Sequence, residues 1–125
     1  MTRILLDTQL VLWALGGHKR LPREARRLID RSEVFVSAAS IWEMAIKSSL
    51  GKLDADARAV NEALAPSGFD PLDVSGEHAA YVARLPPHHR DPFDRLLVAQ
   101  AQLEQLPILT GDPLFSRYDV DTIAA

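Results

Sequence analysis

Short apolar runs alternate along the chain with longer segments in which apolar residues recur every three or four positions. The runs at 3–6, 33–38 and 107–110 predict buried strands, and 69–74 and 119–123 predict two weaker ones. Helices are predicted over 8–15, 21–31, 39–50, 54–65, 75–85 and 93–105. Strands alternating with helices in this way favour an α/β fold, a three-layer α/β/α sandwich with a mostly parallel central sheet.

Local signals refine several of these elements. Pro71 interrupts the strand predicted over 69–74, Pro22 starts the helix over 21–31, and Ser75 is expected to be an N-cap. The helix over 39–50 is expected to bury an apolar stripe made of Ile41, Trp42, Ala45 and Ile46.

Composition is that of an ordinary globular protein, and the length of 125 residues predicts a single domain over 1–125. The sequence has no cysteine, which excludes disulfides and thiolate metal sites and fits a reducing compartment, the cytoplasm. No apolar run approaches the roughly 18 residues of a membrane span, and the N-terminal segment lacks a signal-peptide pattern, so no membrane association is expected.

Charge is unevenly distributed although the formal net charge is only −3. Residues 18–31 are rich in Lys and Arg, including Arg23 and Arg27, whereas residues 54–77 are mostly acidic. The basic segment predicts either a surface for substrate phosphates or the solvated face of an amphipathic helix.

Four acidic residues fall where the predicted fold gathers side chains. Asp7 and Asp112 follow strands, and Glu43 and Asp94 lie in the early turns of helices. The carboxyl ends of parallel strands and the starts of the following helices share one edge of the sheet, where ligands bind. We therefore expect these four carboxylates to converge.

Each acid also has a purely structural explanation. Asp91, with Pro92 after it, is the expected N-cap of the helix that contains Asp94, so Asp94 could serve only the helix dipole. Glu43 could complete a capping box with Ser40, although a boundary at Ser37 or Ala38 would place it deeper in its helix. Asp112 could belong to a turn. Asp7 is the hardest to explain structurally, because a carboxylate between apolar runs is costly unless paired.

Converging carboxylates repel one another, and a hard divalent cation relieves that repulsion. A donor set made only of oxygen favours Mg²⁺ or Mn²⁺, which in such sites hydrolyse phosphodiesters. Arg95 could meet substrate phosphates, whereas Lys47 is better explained as a surface ion pair. His88 and His89 are expected to be loop residues near the site rather than metal ligands. The sequence contains no G-x-S-x-G, Walker or G-x-G-x-x-G motif.

The segments LLDTQLVLWAL, SAASIWEMAIKSSLGKL, HHRDPFDRLLVAQA and ILTGDPLF resemble the successive motifs of PIN-domain ribonucleases, in particular the VapC toxins of bacterial toxin–antitoxin pairs. The resemblance runs from residue 4 to about residue 120. It implies that Asp7, Glu43, Asp94 and Asp112 bind the metal, and that Thr110 is a hydroxyl residue of the site.

The same resemblance implies an Mg²⁺- or Mn²⁺-dependent endoribonuclease, usually a homodimer, that is inhibited by a cognate antitoxin. The antitoxin would lie over the active site, and DNA would be bound only indirectly through it. Two alternatives stay open. One is a metal-dependent phosphatase on a similar sheet, and the other is a regulatory partner that acts mainly through an antitoxin–DNA complex.

Overall fold

Five parallel strands form one central sheet in the structure, a computed structural model that describes residues 2–125. The strands are β1 (Arg3–Leu6), β2 (Glu33–Ser37), β3 (Phe69–Leu72), β4 (Ile108–Thr110) and β5 (Thr122–Ala124). Their order across the sheet is β3-β2-β1-β4-β5, and all four pairings are parallel. The predicted fold class is confirmed, with a sheet that is wholly rather than mostly parallel.

Six α-helices connect and cover the strands. They are α1 (Thr8–Gly16), α2 (Arg23–Asp30), α3 (Ala38–Ser49), α4 (Ala57–Ala63), α5 (Gly76–Tyr81) and α6 (Pro92–Glu104), with 3₁₀ turns at Val82–Arg84 and Pro113–Arg117. Every predicted element is present, but some ends differ. The last strand begins at Thr122 rather than at 119, and α4 begins after its N-cap Asp56. No helix in residues 2–125 is both long and apolar enough to cross a membrane.

The sheet separates two apolar cores, because successive residues of a strand point to opposite faces. On one face, Ile4 and Leu6 pack with residues of α1 to α3, such as Leu10, Ala25 and Met44. On the other face, Leu5 and Ile108 pack with the apolar side of α6, including Leu97 and Val98. Burial on both faces explains why the central strands are continuous apolar runs.

The strand order reverses between β1 and β4, which pair directly through Leu5–Ile108 and Leu6–Leu109. The connections leave β1 in one direction toward β2 and β3, and β4 continues in the other direction toward β5. Such a switch point opens a crevice at the carboxyl ends of the two central strands. Asp7 and Asp112, which follow β1 and β4, flank that crevice.

The predicted apolar stripe of α3 is wrong for Trp42 and Ala45, which are exposed, whereas Ile41 packs against the core as expected. The buried face of this helix consists of Ala39, Ser40, Glu43 and Met44, and the indole of Trp42 is 58% exposed. Glu43 can be buried on this face because its carboxylate is paired with Thr8 and Lys47. Trp42 instead packs edge-to-face on Phe93 of α6, with ring centroids 5.1 Å apart.

We predict that Leu109→Ala lowers the free energy of unfolding by about 2–5 kcal/mol, because Leu109 is fully buried in β4 and its truncation leaves a cavity. Leu50→Ala is the matched control: Leu50 is 62% exposed, and its truncation should change stability by about 0.5 kcal/mol or less. Urea denaturation of the three proteins measures both effects. Equal losses in the two variants would contradict the assignment of the core.

Candidate metal centre

A cavity of about 230 Å³ lies at the carboxyl edge of the sheet, at the switch point. The structure brings all four predicted acids into its wall, and Asp91 adds a fifth carboxylate. Among the described residues that line it, Lys47 is the one Lys or Arg side chain. The cavity therefore concentrates negative charge in a partly buried space.

Asp7 is held by groups from its own helix and from the neighbouring strand. Its Oδ1 accepts a hydrogen bond from the N–H of Leu10 at 2.9 Å, so Asp7 is the N-cap of α1. Its Oδ2 accepts a hydrogen bond from the hydroxyl of Thr110 at the end of β4. Burial raises the pKa of Asp7; these two hydrogen bonds oppose the rise, and the charges of Asp112 and Glu43 add to it.

Glu43 is buried, and each of its carboxylate oxygens has a partner. Oε1 accepts from the hydroxyl of Thr8 at 2.7 Å, and Oε2 lies 2.5 Å from Nζ of Lys47. Ser37 is the N-cap of α3, so Glu43 lies in the second turn and does not complete a capping box with Ser40. The hydrogen bond with Glu43 raises the pKa of Lys47. The expected ion pair of Lys47 is present, but in the cavity wall.

The two acids in the segment DPFD have different positions. Asp91 is the N-cap of α6, as expected, because its Oδ1 accepts from the N–H groups of Phe93 and Asp94 at 2.8 and 3.1 Å. The carboxylate of Asp94 takes no part in this cap and faces the cavity. Burial, with the adjacent charge of Asp91 acting in the same direction, raises the pKa of Asp94 to about 7.

Asp112 closes the cavity from β4. Its Oδ1 accepts from the N–H of Leu114 at 2.9 Å, which caps the following 3₁₀ turn, and its own N–H donates to Oγ1 of Thr110 at 3.0 Å. Thr110 therefore connects Asp112 to Asp7. Thr110, the hydroxyl residue that the resemblance indicated, lies at the end of β4, which pairs with β1.

His89 is the functional candidate that sequence reasoning placed only near the site. Its Nε2 lies 2.9 Å from Oδ2 of Asp94 and 3.2 Å from Oδ2 of Asp112. One ligand atom from each of these three residues lies within 4.8 Å of the others. Spacing relative to Asp94 could not reveal this position, because it depends on how the loop before α6 folds back toward the 3₁₀ turn after β4.

The hydrogen bonds around His89 assign its tautomer. Nδ1 accepts from the N–H of Asp91 at 3.1 Å, so the proton of the neutral ring is on Nε2, which donates to Oδ2 of Asp112 and lies beside Oδ2 of Asp94. The N–H of His89 donates to the hydroxyl of Tyr118 at 2.8 Å, and its ring lies edge-to-face on Phe115. These contacts fix His89 as a hydrogen-bond donor to the acids rather than as a free nitrogen ligand.

Three predicted substrate contacts lie outside the lining of this cavity. The guanidinium of Arg95 donates to the carbonyl oxygens of Val82, Leu85 and Pro86, and so anchors the loop before α6. Arg23 and Arg27 lie on α2, where Arg27 forms an exposed ion pair with Glu24. The ring of His88 packs edge-to-face on Tyr118.

Comparison with a family model matches residues 4–121 to the PIN domain. The chain belongs to the PIN domain family. No curated protein sequence matches it.

Solved structures share the PIN fold with this chain at low sequence identity. VapBC2 from Rickettsia felis, bound to a DNA fragment from its promoter, is 16% identical with a TM-score of 0.73 and 98% coverage of both chains. DNA-bound VapBC from Salmonella typhimurium is 18% identical, with a TM-score of 0.69 and coverage of 99% of this chain and 98% of the other. A toxin–antitoxin complex from Klebsiella pneumoniae is 21% identical, with a TM-score of 0.59 and coverage of 87% and 86%.

The donor set fits a hard divalent cation. Carboxylate oxygens from separate elements face one cavity, where burial and then the charges of neighbouring acids raise the pKa of Asp94. Mg²⁺ and Mn²⁺ prefer such oxygen ligands, whereas the tautomer of His89 leaves no nitrogen ligand for softer metals.

In the absence of metal, we predict that the protein is more stable at about pH 5 than at about pH 8 because of Asp94. The pKa of Asp94 is about 7 in the folded protein, whereas an unfolded chain gives an aspartate a pKa of about 4. The folded state therefore binds more protons between these two values, and the free energy of unfolding falls as the pH rises through them.

Melting temperatures in EDTA at the two pH values measure this dependence in wild type and in Asp94→Asn. The difference should shrink in the variant, because Asn cannot titrate. Asp30→Asn, which changes an exposed carboxylate of α2 outside the cavity, should behave as wild type. An unchanged difference in Asp94→Asn would show that Asp94 is not the group responsible.

Proposed function

We propose that this protein is an endoribonuclease that depends on Mg²⁺ or Mn²⁺ and acts as the toxin of a toxin–antitoxin pair. The observation that carries the proposal is the convergence of Asp7, Glu43, Asp94 and Asp112 on one cavity in a PIN-domain chain. The likeness to VapBC assemblies supports the toxin role.

The metal would be held by oxygens of Asp7, Asp94 and Asp112, with Glu43 as the fourth acid of the site. When bound, the cation would lower the pKa of a water molecule and neutralise charge that develops on a scissile phosphodiester. Thr110 fixes the orientation of Asp7 and, through the N–H of Asp112, the start of the last turn. The carboxylates are thereby held in place before any cation binds.

Two further side chains have roles toward the substrate. Lys47, in the cavity wall beside Glu43, provides the ammonium group that would meet a substrate phosphate. The hydroxyl of Thr8 donates to the other carboxylate oxygen of Glu43, which fixes the position of Glu43 beside Lys47. His89 would donate its Nε2–H to Asp112 while the same nitrogen lies 2.9 Å from Oδ2 of Asp94, and so would keep these two carboxylates close together.

The proposed partners are a cognate antitoxin and a second copy of this chain, with DNA contacted only through the antitoxin. Promoter DNA in the VapBC2 complex and the toxin–antitoxin complex from Klebsiella pneumoniae support this arrangement. Co-expression with the product of the adjacent reading frame would test it. A cognate antitoxin should form a stable complex with this chain and reverse the growth inhibition expected of a toxin.

We predict that the purified protein cleaves single-stranded RNA when Mg²⁺ or Mn²⁺ is present and that EDTA stops the cleavage. Asp7→Asn and Asp94→Asn should abolish it without unfolding the protein, because Asn preserves the shape of Asp and removes a repelling charge. Mn²⁺ should raise the melting temperature of wild type, since a ligand at a hundredfold excess over Kd stabilises by about 2.7 kcal/mol, and should raise that of the variants little.

Gel analysis of labelled RNA and thermal melts with and without Mn²⁺ provide these readouts, with Asp30→Asn as the charge-matched control. Cleavage that persists in EDTA would contradict the metal mechanism. Hydrolysis of small phosphate esters without cleavage of RNA would favour the phosphatase alternative.

We also predict that His89→Gln retains the metal preference of wild type. Glutamine can place an N–H near the position of Nε2, so the orientation of Asp94 and Asp112 should persist, whereas His89→Phe removes the donor and should weaken Mn²⁺ binding. Calorimetric titration with Mn²⁺ and Mg²⁺ measures both affinities. If His89 were instead a nitrogen ligand, His89→Gln would lose affinity for Mn²⁺ more than for Mg²⁺.

A further inference from the structure

A second cavity, of about 260 Å³, shares Asp7 and Asp112 with the first. Gln9 lines both cavities, and the rest of the second one is formed by Leu10, Trp13 and Gly111. Asp7 and Asp112 therefore line both cavities. A chain molecule whose phosphate lies at these acids has room for its neighbouring groups in both cavities.

Trp13 is held in place at this cavity. Its ring stacks on His18 with centroids 5.4 Å apart and planes 19° apart. Gly17, with φ of +61°, turns the chain back at the end of α1, and the N–H of His18 donates to the carbonyl of Trp13 at 3.0 Å. Trp13 also packs against the core that contains Leu10. An indole fixed in this way loses little conformational entropy when a ligand stacks on it.

The chemistry of the second cavity differs from that of the first. Among its described lining residues there is no Lys or Arg, so it provides no cation for a phosphate group. It offers an indole, an apolar side chain, and the exposed amide of Gln9, which has both donors and an acceptor. Aromatic stacking combined with an amide at the rim is how proteins bind the unpaired bases of single-stranded RNA.

The size of the cavity limits the occupant. Clefts for drug-sized molecules measure roughly 300–1,000 Å³, and this one is smaller, at about 260 Å³. A single planar ring system fits this limit better than a folded peptide segment. Because Asp7 and Asp112 line both cavities, that ring would be adjacent to a phosphate at these acids.

We propose that the second cavity is a nucleobase subsite, in which Trp13 stacks on a base next to the scissile phosphate and Gln9 contacts the edge of that base. The proposal rests on the proposed ribonuclease function and names the part of the substrate that this function leaves open. It makes Trp13 and Gln9 determinants of which RNA step is cleaved.

Sequencing the ends that the enzyme produces from a randomised RNA tests the subsite. Wild type should show a base preference on one side of the cut. Gln9→Ala should relax that preference while leaving the fold intact, because Gln9 is exposed. Trp13→Leu should lower kcat/KM by roughly tenfold, the scale of one lost base stack, and Trp13→Phe should restore part of the loss. Trp42→Leu, at the other tryptophan and outside this cavity, is the matched control.

A binding measurement gives a second readout. Trp42→Phe leaves Trp13 as the only tryptophan, so its fluorescence reports on the subsite. With Asp94→Asn added to reduce repulsion and EDTA present to prevent cleavage, a labelled RNA hexanucleotide should quench Trp13 over the range in which its polarisation rises.

The possible outcomes are distinguishable. Cleavage by wild type with an unchanged base preference in Gln9→Ala and Trp13→Leu overturns the subsite and leaves the ribonuclease function standing. Binding of RNA without quenching of Trp13 overturns it as well. A wild type that neither cleaves nor binds RNA overturns the proposed function, and the subsite with it.

Discussion

Repulsion between carboxylates is the constraint around which the carboxyl edge of this sheet is organised. The negative charge of each acid meets a different set of local contacts. Asp7 accepts hydrogen bonds from Thr110 and from the start of α1, and Glu43 is paired with Lys47. Asp112 caps a 3₁₀ turn. Oδ2 of Asp94 lies 2.9 Å from Nε2 of His89, and burial, reinforced by the charge of Asp91, raises the pKa of Asp94 to about 7. A cation bound beside this side chain would favour its ionised form and offset the repulsion from the neighbouring acids.

This uncompensated charge is tolerated because the rest of the domain is rigid where the acids attach. Asp7 and Asp112 follow the two central strands, whose residues Leu5, Leu6, Ile108 and Leu109 are fully buried and directly paired. Asp94 begins a helix whose apolar face is packed against one core. A close-packed interior does not deform to separate like charges, so repulsion appears as shifted pKa values rather than as movement of the backbone. Functional sites commonly depart from local stability rules in this way.

The sequence was sufficient to identify the elements and to place the four acids, because each acid follows an apolar run or starts a helix and the edge rule needs nothing more. It could not give the strand order, on which the switch point between β1 and β4 depends. It also put Trp42 rather than Glu43 on the buried face of α3, since the partners that allow Glu43 to be buried, Thr8 and Lys47, are recognisable only in three dimensions. The position of His89 could not be predicted for a related reason. Its contacts with Asp94 and Asp112 depend on a loop conformation that no sequence periodicity encodes.

In the proposed ribonuclease, the two cavities that share Asp7 and Asp112 would hold RNA through different forces. The acidic cavity repels phosphate unless a cation is bound, so its contribution depends on divalent metal and on salt. The cavity of Trp13 shares the two acids but adds an indole, an apolar side chain and an amide, with no Lys or Arg in its described lining, so the stacking contact itself would be largely independent of ionic strength. A substrate would therefore be positioned by its base before its phosphate is tolerated at the acids. In that order, the contact with Trp13 would determine which RNA sequence is bound, and the contact with the acids and their cation would determine whether it is cleaved.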